Sequence, residues 1–131
     1  MTKEDKMLLI KDLSSRLPYA VHVQHISGAS GILHNISIHH KYDGNDNIYD
    51  ATCYIDFLGD SIAIEYFKPY LFPLSSITGE QEKEYNNLNC YELGCFPHSE
   101  EALDYLIKNH FDYRGLIEKG LAIDATGLNM Y

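Results

Sequence analysis

Pro18 divides this chain into two kinds of pattern, and the division excludes most fold classes. Before it, Leu9, Leu13 and Leu17 recur at helical spacing, Thr2 is placed to cap, and Asp5 stands three residues on, completing a capping box. Proline lacks the N–H and its ring clashes with the preceding turn, so the helix stops there. After it the period falls to two. In "YAVHVQHI" Tyr19, Val21, Val23 and His25 share a face, and in "ILHNISIHH" Ile32, Ile36 and Ile38 do so, with His34 among them. An all-helical fold is thereby excluded.

Alternation continues through "IYDATCYIDFL", where Tyr49, Ala51, Cys53, Ile55 and Phe57 keep step, and through "IAIEYF", where Ile62, Ile64 and Tyr66 alternate with Glu65. "SGASG" reads as a hairpin loop, "KYDGNDN" as a polar turn, and Gly59-Asp60 as a two-residue turn of the primed type. These segments give four strands in an antiparallel meander. "KPYLFPL" carries Pro69 and Pro73, so it is expected to leave the sheet as an extended connector. A second helix follows, with Thr78 and Gln81 at capping-box spacing and Glu80, Glu82 and Glu84 near its start, where carboxylates suit the helix dipole. "NNLNCYELGCFP" is a loop, and a third helix opens at Ser99, with Glu100 and Glu101 in its first turn and Leu103, Leu106 and Ile107 on its buried stripe. The expected fold is α+β: an N-terminal helix, the four-stranded antiparallel meander, and two to three C-terminal helices packed on one sheet face, forming a single domain over 1–131.

Charge narrows the partners. Nineteen Asp plus Glu against ten Lys plus Arg leave a formal net charge of −9, which repels phosphate backbones and argues against direct nucleic-acid binding. Eleven Tyr, five Phe and no Trp point to rings half buried at a core rim or on a contact surface. The start, "MTKEDKMLLIKDL", has an apolar run of only Met7 to Ile10, too short for a signal segment or a membrane span. With three cysteines, Cys53, Cys90 and Cys95, the expectation is a cytoplasmic chain with reduced thiols and no membrane association.

"NHFDYRGLI", at 109–117, holds the densest chemistry. As a strand it would set His110, Asp112 and Arg114 on one face, an imidazole, a carboxylate and a guanidinium able to do acid-base work on an anionic substrate. As a helix start it makes Asp112 the N-cap, Tyr113, Leu116, Ile117 and Leu121 the buried stripe and Gly120 the left-handed terminator. The helical pattern explains more residues. It leaves His110 at the end of the preceding helix, where its charged form is favoured, Arg114 solvent-facing or paired with a carboxylate, and Phe111 and Tyr113 locking the C-terminal part onto the domain. No catalytic set is therefore expected, with His110, Asp112 and Arg114 as the alternative.

Two metal-like groupings are present. Cys90, Cys95, His98 and His110 fall in C-x4-C-x2-H-x11-H, a spacing that matches no common finger or ribbon, and a loop with two buried thiols accounts for it better. His34 and His40 could approach at period two, with His22 or His25 on a neighbouring strand, but no carboxylate completes a site and a solvated His face is favoured. G-x-S-x-G, Walker, G-x-G-x-x-G and H-E-x-x-H signatures are absent. No cofactor is expected.

"KMLLIKDLSSRLPYAVHV", "KPYLFPLSSITGEQEKEY" and "HFDYRGLIEKGLAID" together resemble a family of short uncharacterised proteins of gut Bacteroidales and their phages and mobile elements. The resemblance covers both ends and the middle, and the chain departs from it between about 24 and 64. It transfers no catalytic residue and implies an intracellular bacterial or phage accessory protein. The functional expectation is a non-enzymatic interaction protein. Its contact surface would be acidic and Tyr-rich, built on Glu80, Glu82, Glu84, Glu92, Glu100, Glu101 and Asp104, and would meet another protein with a basic face, such as a host nucleic-acid-binding protein. The alternative is a small hydrolase or metal-dependent enzyme.

Overall fold

A computed structural model describes residues 1–43, 46–55, 60–88 and 100–131, with 40–43 and 46–49 as backbone only. Thr2 opens helix α1, Lys3–Arg16, its Oγ1 accepting the Asp5 amide at 3.0 Å. Leu9, Ile10 and Leu13 are buried on one face, and Leu17 packs against the same core. Pro18 sits in a single 3-10 turn, Leu17–Tyr19, and Ala20, at φ +54°, swings the chain into the sheet. The helix ends where the proline requires.

Strand β1, His22–His25, returns antiparallel into β2, Ser30–Asp43, which pairs antiparallel with β3, Asp46–Ile55, and β3 pairs with the short β4, Ile62–Ala63. Two details depart from strict alternation. The β2–β3 register passes from Leu33↔Ile55 to Asn35↔Tyr54, so His34 is an extra residue in a bulge. The bulge flips the parity, so buried Leu33 and core-packed Ile36 face the same way and Ile32 faces the other, while Ile38, in step with Ile36, is 52 % exposed. The face expected for Ile32, Ile36 and Ile38 is therefore split. Likewise, β4 stops at Ala63 and a 3-10 turn, Ile64–Tyr66, buries Ile64 while leaving Tyr66 exposed. Of the polar turn expected at 41–47, Lys41–Asp43, Asp46 and Asn47 are strand, and residues 44–45 lie outside the described residues, as do Phe57 and Gly59.

The meander is one part of a larger mixed sheet, because "KPYLFPL" does not leave it. Phe67–Pro73 is strand β5, antiparallel to β1 and parallel to two further two-residue strands, β6, Phe111–Asp112, and β7, Ile123–Asp124. The order is β4-β3-β2-β1-β5-β6, with β7 also on β5. The prolines are tolerated for a geometric reason. The Ile26 amide donates to the Tyr66 carbonyl at 2.9 Å, so by antiparallel alternation Gln24↔Lys68 is the next hydrogen-bonded pair and Val23↔Pro69 lies between bonds. Pro69 is asked for no N–H towards β1, pairing with β7 begins only at Tyr70, and Pro73 closes the strand.

Helix α2, Gly79–Leu88, starts with the reciprocal cap that its sequence predicts: Gln81 N–H donates to Thr78 Oγ1 at 3.2 Å and Thr78 N–H to Gln81 Oε1 at 3.0 Å. Helix α3, Glu100–Lys108, buries Ala102, Leu106 and Ile107. The helix expected after Asp112 does not form. Pairing of Phe111–Asp112 with Phe72–Pro73 holds the chain extended, and Gly115, at φ +76°, turns it too sharply to propagate a helix. Its apolar stripe is used nonetheless. Leu116, Leu121 and Ala122 close a small core with Leu71, distinct from the main one of Leu9, Leu13, Val21, Val23, Leu33, Cys53, Ile55, Ile64 and Phe67. No helix among the described residues is long and apolar enough to cross a membrane.

Candidate functional site

The buried face of α1 carries two charges. Asp12 and Arg16 are each 0 % exposed and stand at i, i+4, with Arg16 Nε donating to Asp12 Oδ2 at 2.8 Å. Arg16 spends its remaining nitrogens on backbone: Nη2 donates to the Phe111 carbonyl at 2.6 Å and Nη1 to the Ile107 carbonyl at 3.4 Å. Arg114 Nη1 donates to the second Asp12 oxygen at 3.3 Å and lies over the Tyr113 ring, 4.7 Å from its centroid. One guanidinium thus ties α1 to the end of α3 and to β6, and a second closes the carboxylate. Fork geometry suits Arg to this task where Lys would supply a single point charge.

These bonds decide the fate of "NHFDYRGLI". Asp112 is 7 % exposed, and its Oδ1 and Oδ2 accept the Leu116 and Ile117 amides at 2.9 Å each, so it caps a turn where the sequence expected it to cap a helix. Of the two outcomes expected for Arg114, solvent-facing or paired with a carboxylate, it takes the second, with Asp12 as the partner. His110 departs from expectation. It follows α3 at φ +63°, its ring is 8 % exposed, and its carbonyl accepts the Phe72 amide at 2.8 Å. Burial, then the charges of Arg16 and His22, push its pKa down to about 4, so the imidazole is neutral and the charged form predicted at the helix end is not the one held here. His110, Asp112 and Arg114 are turned to three separate tasks, a ring stack, a turn cap and an ion pair with Asp12.

Tyr131 completes the surroundings of His110. The two rings stack, 3.6 Å between centroids and 13° between planes, and His22 meets Tyr131 edge-on at 5.0 Å. Continuing the β1–β5 register one residue past Val23↔Pro69 sets His22 against Tyr70, and the Tyr131 hydroxyl stands between them: it accepts the His22 amide and donates to the Tyr70 carbonyl, each at 2.9 Å. Burial pushes this phenol up to about 12. The hydroxyl thus bridges the two strands at Tyr70, two residues before Phe72 pairs with β6.

Beside this stack opens a cleft of about 540 Å3, lined by Phe72, Ser76, Thr78, Gln81, Lys108, Asn109 and their neighbours in β6 and the C-terminal segment. Its volume falls in the range of small-molecule sites. Among the described residues its lining side chains hold one charge, Lys108, and no carboxylate. The His110 Nδ1 is buried without a hydrogen-bond partner among the described residues.

The remaining sequence candidates scatter. Cys90, Cys95 and His98 lie outside the described residues, as does Glu92, and the fourth member of that set, His110, is the stacked ring. His34 is exposed in its bulge, the side chain of His40 is outside the description, and no metal-binding group of His, Cys, Asp or Glu occurs among the described residues. Cys53 is buried and its thiol pushed up to about 12, an inert core residue. Glu80, Glu82, Glu84, Glu100, Glu101 and Asp104 are all exposed on α2 and α3, and Tyr105 joins the helices by donating to Glu84 Oε2 at 2.9 Å. Asp12 and Arg16 are absent from the sequence expectations although the pattern held a signal: 9, 12, 13 and 16 form one helical stripe, which puts both charges beside Leu9 and Leu13. No family model, curated protein or solved structure matches this chain.

Proposed function

We propose that this is a non-enzymatic interaction protein, working in the bacterial or phage setting that the sequence resemblance implies, and that it binds a basic protein partner through the α2–α3 face. The observation that carries the reading is the anatomy of that face. An apolar groove of about 240 Å3, lined by Leu74, Ile77, Tyr85, Leu106, Asn86 and Glu82, is formed in part by α2 and α3, two helices that carry six exposed carboxylates against only Lys83 and Lys108. Apolar anchoring sites within a charged rim are the usual composition of a specific interface. The rim's sign steers a basic surface and repels nucleic acid. A partner that itself binds nucleic acid through that surface would be masked, which makes this chain an inhibitor of such a protein.

The alternative, a hydrolase using His110, Asp112 and Arg114, lacks support in the geometry, since each side chain is committed to a structural contact. Capture of partners from a Bacteroidales lysate, followed by binding measurements on the purified pair, tests the proposal. Association should slow steeply with rising ionic strength and weaken further with Glu82→Lys or with Glu100→Lys, Glu101→Lys. A partner whose association ignores both salt and these replacements would remove the α2–α3 face from consideration.

A further inference from the structure

The cleft beside His110 has a chemical bias that the interaction reading does not use. Several of its polar side chains are partly committed within the protein. Ser76 spends its hydroxyl proton on the Pro73 carbonyl at 2.7 Å and Asn109 an Nδ2 proton on the Tyr105 carbonyl at 2.9 Å, which leaves acceptors there, whereas Thr78 and Gln81 are left with donors. Thr78 Oγ1 already accepts the Gln81 amide and keeps its O–H, while Gln81 Oε1 already accepts the Thr78 amide and keeps its NH2. Lys108, exposed in the last turn of α3, contributes an ammonium. Glu80 lies in the first turn of α2 but outside the lining, so among the described side chains the cleft sets the Thr78 and Gln81 donors and one positive charge against no carboxylate side chain, within a chain of net charge −9. One wall is aromatic, made by Phe72, Phe111 and the His110–Tyr131 stack.

His110, 92 % buried, also lines the cleft, and its Nδ1 has no hydrogen-bond partner among the described residues. An acceptor-rich, singly charged ligand with a flat apolar body fits these demands. A dianion such as phosphate finds only one cationic side chain, and an amine meets no carboxylate side chain.

We propose that the cleft binds a small planar monocarboxylate, its ring against the aromatic wall and its carboxylate at Lys108, Thr78 and Gln81. The test is an NMR titration of the full chain with benzoate, benzamide and benzylamine. Benzoate should give saturable shifts at the Thr78, Gln81 and Lys108 amides and at the Tyr131 ring, with Kd of about 1 mM or tighter, and none along β2–β3. Lys108→Gln, on an exposed position that should leave the spectrum dispersed, should weaken benzoate by at least about fivefold and leave benzamide unchanged. Saturation by none of the probes up to about 10 mM, benzamide or benzylamine binding as well as benzoate, or a Lys108→Gln chain that binds benzoate normally would each overturn the assignment.

Discussion

The two sides of the sheet are held together differently. Around β1–β4, long strands and the α1 leucines close an apolar core in which Leu9, Leu13, Val23, Cys53 and Ile55 are wholly buried. Around β5–β7 the added strands are two residues each, the apolar cluster is small, and the junction is fixed by polar bonds: Arg16 on two carbonyls, Asp112 on two amides, Tyr131 between β1 and β5. An apolar core loses stability in proportion to the volume removed, whereas a buried polar junction fails when one partner goes, because the group left behind stays desolvated. The contrast predicts where single substitutions act most strongly.

The largest effect should come from Arg16→Met, which leaves Asp12 with only Arg114 and strips the Phe111 and Ile107 carbonyls; about 3–5 kcal/mol should be lost in urea unfolding. Acid should be nearly as damaging through His110. Its pKa is about 4 when folded against 6.5 ordinarily, so between these values the unfolded chain binds the extra proton. The stabilisation is complete above about pH 6.5, falls as pH drops towards 4 and levels below it, on the order of 3 kcal/mol in total. His110→Asn, tolerated at positive φ, should flatten that part of the stability profile; an unchanged slope would assign the acid sensitivity elsewhere. Asp112→Ala should cost about 1.5–3 kcal/mol while Asp112→Asn, which can still accept, keeps most of it. On the apolar side, Ile55→Val should cost only about 0.5–1.5 kcal/mol.

The same contrast explains what could be read from the sequence. Periodicity reports burial of apolar side chains, so α1, β1, β3 and the caps of α1 and α2 were legible from Leu9, Val21, Cys53, Thr2 and Thr78. It is blind to bonds made to distant backbone. Pro69 and Pro73 argued against a strand because only the register with β1 reveals that no N–H is needed at 69. Asp112 was legible as a cap because capping is local, but the helix it seemed to open was overridden by pairing with Phe72–Pro73, a contact 39 positions away at Phe72↔Phe111. Tyr131 gave no signal, since its partners His22 and Tyr70 are reached only in the folded chain.

Native-state hydrogen exchange on Arg16→Lys tests most directly whether polar bonds from α1 hold the β5–β7 side. Lysine can still pair with Asp12 but cannot reach both carbonyls with one fork. The amides of Phe72, Leu116, Ile117 and Ala125, bonded to His110, Asp112, Asp112 and Leu71, should exchange much faster, while the β2–β3 ladder keeps its protection. Equal loss of protection on both sides, or none on either, would contradict the account.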